Sequence, residues 1–197
     1  MKFDNPHIGP NVPRMGNAFT RWLGDMILKL MGWKVAGKLA NEKQAVLIGG
    51  PHTSNQDLFL ALGCALSVGL KFSWMMKKEA FFWPLRGLWK ALGGIPIDRK
   101  AKLDIVGQMK EFLASQDKVW LGLTPEGTRS KVERYKTGYL RIAMGTNTPV
   151  FIVGVDGRDK TVTLDKIWEL TGDIEADNAA IKSYIETTYS GVNPEKV

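Results

Sequence analysis

The chain has 197 residues, 44% of them hydrophobic, a single cysteine, a formal net charge of +7 and a pI near 9.5. That length and apolar share suit one globular domain with a sizeable core, and no stretch reads as a linker, a repeat or a low-complexity tract. The lone Cys64 excludes an intrachain disulfide and fits a reducing compartment. The basic balance suits anionic partners, although scattered lysines and the lack of a recognition motif count against nucleic acid. An ordinary solvated basic surface explains the charge equally well.

In chain order, Met1-Lys2-Phe3-Asp4-Asn5-Pro6 has no apolar region behind its basic residue, so no signal peptide is expected. No run approaches the ~20 apolar residues of a spanning helix. Within residues 1–40, Phe19, Trp22, Leu23, Met26, Ile27, Leu30 and Met31 follow the spacing of one helical face, with Arg21, Asp25 and Lys29 elsewhere on the wheel. That amphipathic helix either packs on the core or meets a lipid surface. Periodicity alone does not name the partner.

Ala45-Val46-Leu47-Ile48 is a candidate buried strand, and it runs into Gly49-Gly50-Pro51-His52-Thr53-Ser54-Asn55-Gln56-Asp57. Imidazole is the side chain best suited to moving protons near neutral pH, and a neighbouring carboxylate fixes its tautomer. Five residues apart within one helix, His52 and Asp57 would diverge. They face each other only if His52 precedes the helix and Asp57 lies in its first turn. The plainer reading makes Ser54 an N-cap and Asp57 its acidic partner three residues on.

A helix is expected from Leu58 to Leu66 and a strand from Phe72 to Met76. A second amphipathic stripe runs through Phe81, Phe82, Leu85, Leu88, Trp89 and Leu92, with Pro84 in its first turn and Lys77, Lys78, Arg86 and Lys90 beside it. Gly93-Gly94-Ile95-Pro96-Ile97-Asp98-Arg99 reads as a short strand ending in an arginine. Leu103, Val106, Met109, Phe112 and Leu113 mark a core-facing helix. Val119-Trp120-Leu121-Gly122-Leu123 is another buried strand, entering the polar turn Thr124-Pro125-Glu126-Gly127-Thr128-Arg129-Ser130. Helix is expected over 138–144, strand over 150–155, a further strand, at an edge, at Thr161-Val162-Thr163-Leu164, and a last helix from Asp177 as cap through Ile181, Tyr184 and Ile185. This alternation predicts an α/β fold: a mixed, mostly parallel sheet flanked by helices. Ligands collect at the carboxyl ends of strands in such sheets, where these polar blocks fall. Two guanidiniums beside a His–Asp pair suit a phosphate-bearing substrate.

The ordered set of His52-x4-Asp57, Gly94 to Arg99, Pro125-Glu126-Gly127-Thr128-Arg129 and Thr148-Pro149-Val150-Phe151-Ile152 resembles the four motifs of the glycerolipid acyltransferases, the superfamily of glycerol-3-phosphate and lysophosphatidic acid acyltransferases. The resemblance spans roughly residues 45–155, the motif-bearing core. It implies transfer of a fatty acyl group from a thioester, carried by coenzyme A or acyl carrier protein, to a hydroxyl of a glycerophosphate or lysophospholipid. His52 would be the general base and Asp57 its orienting carboxylate. Arg99, Glu126, Gly127, Thr128 and Arg129 match positions linked to the acceptor and its phosphate. Pro96 stands where an aromatic residue is common in the family, and Ile152 where a second proline is; both bear on the shape of the acceptor pocket.

No acyl-enzyme is required, since the acceptor is the nucleophile, and the chain lacks a G-x-S-x-G elbow. An oxyanion donor is needed, and the backbone amides after His52 are candidates. No cofactor and no metal are expected, because His52 and Asp57 lack a third ligand at recognisable spacing. A lipid-modifying enzyme of this composition would work in the cytoplasm, peripheral on the cytosolic face of a membrane. Two alternatives remain: a thioesterase using the same pair to activate water, and a non-catalytic basic membrane-binding module.

Overall fold

The protein is described by a computed structural model over residues 5–54, 56–97 and 105–196. Its elements run α1 (Ala18–Met31), β1 (Lys34–Gly37), β2 (Gln44–Gly50), α2 (Asp57–Val68), β3 (Phe72–Lys77), α3 (Leu85–Ala91), β4 (Gly94–Ile97), α4 (Ile105–Ala114), β5 (Val119–Leu123), α5 (Gly138–Thr146), β6 (Val150–Asp156), β7 (Thr161–Trp168) and α6 (Ile174–Thr188). Seven strands form one sheet in the order β1-β7-β6-β2-β5-β3-β4. Only the β6–β7 pair is antiparallel. The expected α/β class with a mixed, mostly parallel sheet is what the chain adopts.

The β2, β5, β3 and β4 strands all point the same way, so their carboxyl ends share one edge. That edge receives the loops containing His52 and Glu126. Right-handed crossovers put α2 and α3 on one face of the sheet and α4 and α5 on the other. The cores agree. Val46, Leu113, Leu121, Leu140, Ile181 and Ile185 cluster under α4–α6, while Leu28, Leu60, Val68, Trp120 and Phe151 cluster under α1 and α2. Trp74 is two residues from Phe72 of the latter cluster and stacks edge-on with Trp89 of α3, which places α3 on the α1–α2 face.

The α1 stripe does not go wholly to one environment. Asn17 caps the helix, with Thr20 reciprocating, and Gly32 ends it in the left-handed region. Gly24 and Leu28 are buried against α2, and Asp25 accepts a hydrogen bond from Ser67. At Gly24 the helices touch backbone to backbone, since a methyl there would lie 2.4 Å from the Ser67 nitrogen. Phe19, Trp22 and Leu30 of the same stripe remain exposed, Leu30 by 81%.

Three expectations need correcting. The strand beginning at Thr161 is not at an edge: β1 covers it, a four-residue strand too short and too little apolar to be read in advance. The last helix starts at Ile174 on an Asp173 cap, and Asp177 is instead buried, accepting the Thr171 and Gly172 amides of the preceding turn. The second stripe is not one helix. Phe81, Phe82 and Trp83 precede α3, which starts at Leu85, and Trp89 is half-buried while Trp83 is 89% exposed. Leu103, at the start of the helix expected before β5, lies outside the described residues.

Candidate active site

His52 leaves the end of β2 and Asp57 opens α2, the one arrangement in which the two can meet. They do: His52 Nδ1 lies 2.5 Å from Asp57 Oδ2, with the two side chains 24% and 12% exposed. The carboxylate accepts there, so the ring carries its proton on Nδ1 and turns Nε2 outward as the basic atom. The same Oδ2 accepts the amides of Thr53 and Ser54, each at 3.0 Å. Asp57 Oδ1 is buried with no hydrogen-bond partner among the described residues. Ser54 contributes to the helix start through its hydroxyl, which accepts the Gln56 amide at 3.1 Å, while Gln56 occupies the cap position. The cap expected at Ser54 thus falls at Gln56, and Asp57, the first residue of α2, turns its carboxylate back onto the loop amides and the imidazole.

Glu126 enters from the turn after β5. It is 6% exposed, and its Oε1 accepts the His52 backbone N–H at 3.0 Å. Burial raises the Glu126 carboxyl above its ordinary value, opposed by hydrogen bonds from its own and the His52 amides. Its Oε2 and the Tyr135 hydroxyl are both buried without hydrogen-bond partners among the described residues. Glu126 thus braces the His52 loop from behind.

Gly127 turns the chain at φ +63°, a conformation that side chains disfavour. The Lys136 ammonium lies over it: a methyl on Gly127 would sit 2.6 Å from Lys136 Nζ. Thr128 and Arg129 follow in the same turn and are exposed, Arg129 with no ion-pair partner among the described residues. Arg99 lies outside the described residues. The structure therefore joins His52, Asp57 and Glu126 directly, and sets Gly127, Thr128 and Arg129 beyond them at the same sheet edge. Lys136, ten residues after Glu126, is the cation that sequence reading missed; nothing in its local pattern distinguished it from other surface lysines.

Several of the amides considered as oxyanion donors already have partners inside the loop. The amides of His52, Thr53, Ser54 and Gln56 are all engaged inside the loop, on Glu126, Asp57 and Ser54. None of these four is left to face a reacting carbonyl.

A narrow cavity of about 120 Å³ runs from this pair beneath α2. Asp57, Leu60, Ala61, Cys64, Ala65 and Val68 form its helical wall, one stripe of α2, and Leu47, Phe72, Val153, Val162 and Leu164 face them from the sheet and its flanks. From Asp57 to Val68 the helix rises about 16 Å, so the cavity is long and thin as well as apolar. Cys64 is buried in that wall, and burial pushes its thiol up to about 12, which keeps it neutral and unreactive. A wider groove of about 660 Å³ lies between residues 131–135 and α6, but neither His52 nor Asp57 lines it. Its charges are largely matched to one another, Arg134 to Glu175 and Lys182 to Glu186.

An imidazole held by a carboxylate at the mouth of an apolar slot is chemically suited to proton transfer beside an apolar ligand. The acyltransferase family model matches residues 33–156, which contain His52, Asp57, Glu126, Gly127, Thr128, Arg129 and Lys136. The fold resembles the crystal structure of PlsC from Thermotoga maritima, a 1-acyl-sn-glycerophosphate (LPA) acyltransferase, with a TM-score of 0.63 at 16% identity over 85% of this chain and 75% of that one. No curated protein sequence matches. With the family model covering more than half of its length, the chain belongs to the acyltransferase family.

Proposed function

We propose that this acyltransferase moves a fatty acyl group from a thioester of coenzyme A or acyl carrier protein to a hydroxyl of a glycerophosphate or lysophospholipid. The observation that carries the reading is the continuity between the His52–Asp57 pair and the apolar cavity beneath α2. The acyl chain occupies the cavity, which sets the thioester carbonyl at its mouth. His52 Nε2 takes the proton from the acceptor hydroxyl as its oxygen attacks that carbonyl. Asp57 holds the ring and offsets the charge it gains. Collapse of the tetrahedral intermediate expels the thiolate, which recovers the proton from the imidazolium. Arg129 and Lys136, exposed beyond Gly127, supply cations for the acceptor phosphate, joined by Arg99 if the family resemblance holds there.

The enzyme would meet its lipid as a peripheral protein. No helix among the described residues is long and apolar enough to cross a membrane. Phe19, Trp22, Leu30, Phe59, Phe82, Trp83 and Leu88 are exposed, and all belong to α1, α2, α3 or the turn before α3. They share the face under which the cavity runs. Exposed Lys77, Lys78, Arg86 and Lys90 surround the Phe82–Trp83 tip, a pairing suited to an anionic bilayer interface.

Radiolabelled long-chain acyl thioesters offered with a panel of acceptors, and resolved by lipid chromatography, test the reading. Labelled acyl ester formed only when a phosphate-bearing acceptor is present is the expected result. Free fatty acid released at the full rate without acceptor would overturn it in favour of hydrolysis.

A further inference from the structure

The segment after α6 turns back under the His52 loop, and nothing in the four motifs anticipates it. The Tyr189 ring lies flat on β6 at Gly154, where a methyl group would sit 2.1 Å from Tyr189 Cζ. Gly154 is the register partner of Gly50, two residues before His52. The Ser190 hydroxyl donates to Asp156 Oδ1 at 2.7 Å and accepts the Gly157 amide at 3.0 Å. The Gly191 amide donates to the Val155 carbonyl at 2.8 Å. Arg158, paired with Asp156, donates to the Thr188 carbonyl at 3.0 Å. Residues 188–191 are thereby fastened to the end of β6, the strand beside β2.

From that anchorage the chain reaches the catalytic loop. The Asn193 backbone N–H donates to Thr53 Oγ1 at 2.9 Å, and its side-chain amide donates to the Thr53 carbonyl at 3.3 Å. Thr53 is 4% exposed, and its own amide donates to the Asp57 oxygen that holds His52. One series of hydrogen bonds therefore links Asn193, Thr53, Asp57 and the imidazole. Among its described residues the loop between β2 and α2 has no ladder partner, and its bonds to the rest of the fold run to Glu126 behind and Asn193 beneath. Residues 188–193 also lie beyond residue 156, where the family match ends.

We propose that Asn193 is a positioning residue, tying Thr53 to the end of β6 so that Asp57 and His52 stay aligned for proton transfer. The proposal rests on the reading of His52 as the base. Misplacement of a catalytic group by about 1 Å is enough to cost up to ~100-fold in rate, so a modest loosening is measurable.

The test uses Asn193→Ala and Thr53→Val, singly and combined, with Thr53→Ser as the conservative variant. Two quantities are read: kcat and donor KM of acyl transfer, and the downfield proton NMR resonance of His52 Nδ1–H, assigned by its loss in His52→Ala. Each single variant is expected to lower kcat about tenfold with donor KM within about twofold, and to broaden the resonance or move it upfield. Asn193→Ala removes the bond to the Thr53 carbonyl and Thr53→Val the bond from the Asn193 backbone amide, so the double variant is expected to lose more than either single one, and Thr53→Ser to stay close to wild type in both readouts. An unchanged kcat and resonance in Asn193→Ala, a Thr53→Ser variant as impaired as Thr53→Val, or a decline that follows loss of folded protein on melting would each overturn the proposal. The resonance is read without turnover, which separates the two claims. An active wild type whose resonance ignores Asn193 defeats the positioning role alone, and a wild type without transferase activity defeats the functional reading whatever the resonance does.

Discussion

On the α4–α6 face of the sheet, Leu113, Leu140, Ile181 and Ile185 have no measurable exposure and fill the space between helix and strand. On the opposite face, α2 stands off the sheet far enough to leave the cavity beside His52, and Phe19, Trp22, Leu30 and Phe59 point to solvent. Both faces are apolar, yet only one is closed. An apolar cavity left open costs stability and is the usual form of a ligand site, and here its opening leads to the His52–Asp57 pair. The closed face carries the brace, through Glu126 and the segment after α6, while the open face is the one on which we propose that substrate binds.

That contrast can be broken in several ways, beginning with the junction of the two faces. Asp57→Asn should lower kcat by on the order of 10²–10⁴-fold, by offering Nδ1 a partner that no longer fixes the tautomer or offsets the imidazolium. Steady-state kinetics with folded protein checks it; a loss below tenfold would detach Asp57 from the chemistry. On the closed face, Leu140→Ala should cost about 2–5 kcal/mol in urea unfolding and leave chain-length preference alone. On the open face, Ala65→Phe should reverse those signs. It fills the cavity, so stability changes little, while long-chain donors lose roughly 10–200-fold in kcat/KM relative to short ones, the usual worth of pocket shape. Equal losses for all chain lengths would place the acyl chain elsewhere.

Two smaller effects sharpen the picture. Trp22→Asp combined with Trp83→Asp should abolish flotation with anionic vesicles at low salt without unfolding the protein; binding unaffected by both changes would remove lipid from that face. The last effect is on pH. The Glu126 carboxyl is raised by burial, so its contribution to stability is intact below its unfolded value near 4.5 and is lost as pH rises through the folded value. Glu126→Gln keeps an oxygen for the His52 amide and has no proton to lose. Its Tm relative to wild type should therefore climb with pH across that interval, and a constant difference would show that Glu126 carries no such cost.

Much of the site was legible because its chemistry is local in sequence. His52 and Asp57 sit five residues apart, and the strand before and helix after them follow from apolar runs and cap residues. The strand ends that gather at one edge follow from the alternation of β and α. What escaped was non-local. Asn193 meets Thr53 across 140 positions of chain, a contact no spacing rule reveals. Glu126 matched an acceptor-binding motif, yet its described hydrogen bond goes to the His52 backbone. The aromatic stripe near Trp89 was legible as amphipathic, but the most exposed tryptophan there is Trp83, which the stripe left out, while Trp74 claims the Trp89 ring. Backbone contact at Gly24 likewise decides which side of α1 is buried, and hydropathy counts glycine as neither.

The most direct measurement of the central claim is the single-turnover rate of acyl transfer in His52→Ala, with saturating long-chain thioester and acceptor. The account predicts a fall of on the order of 10²–10⁴-fold with donor affinity unchanged, because the acyl chain still occupies the cavity beneath α2. A rate near wild type would contradict it, by showing that the proton leaves the acceptor hydroxyl through some other group.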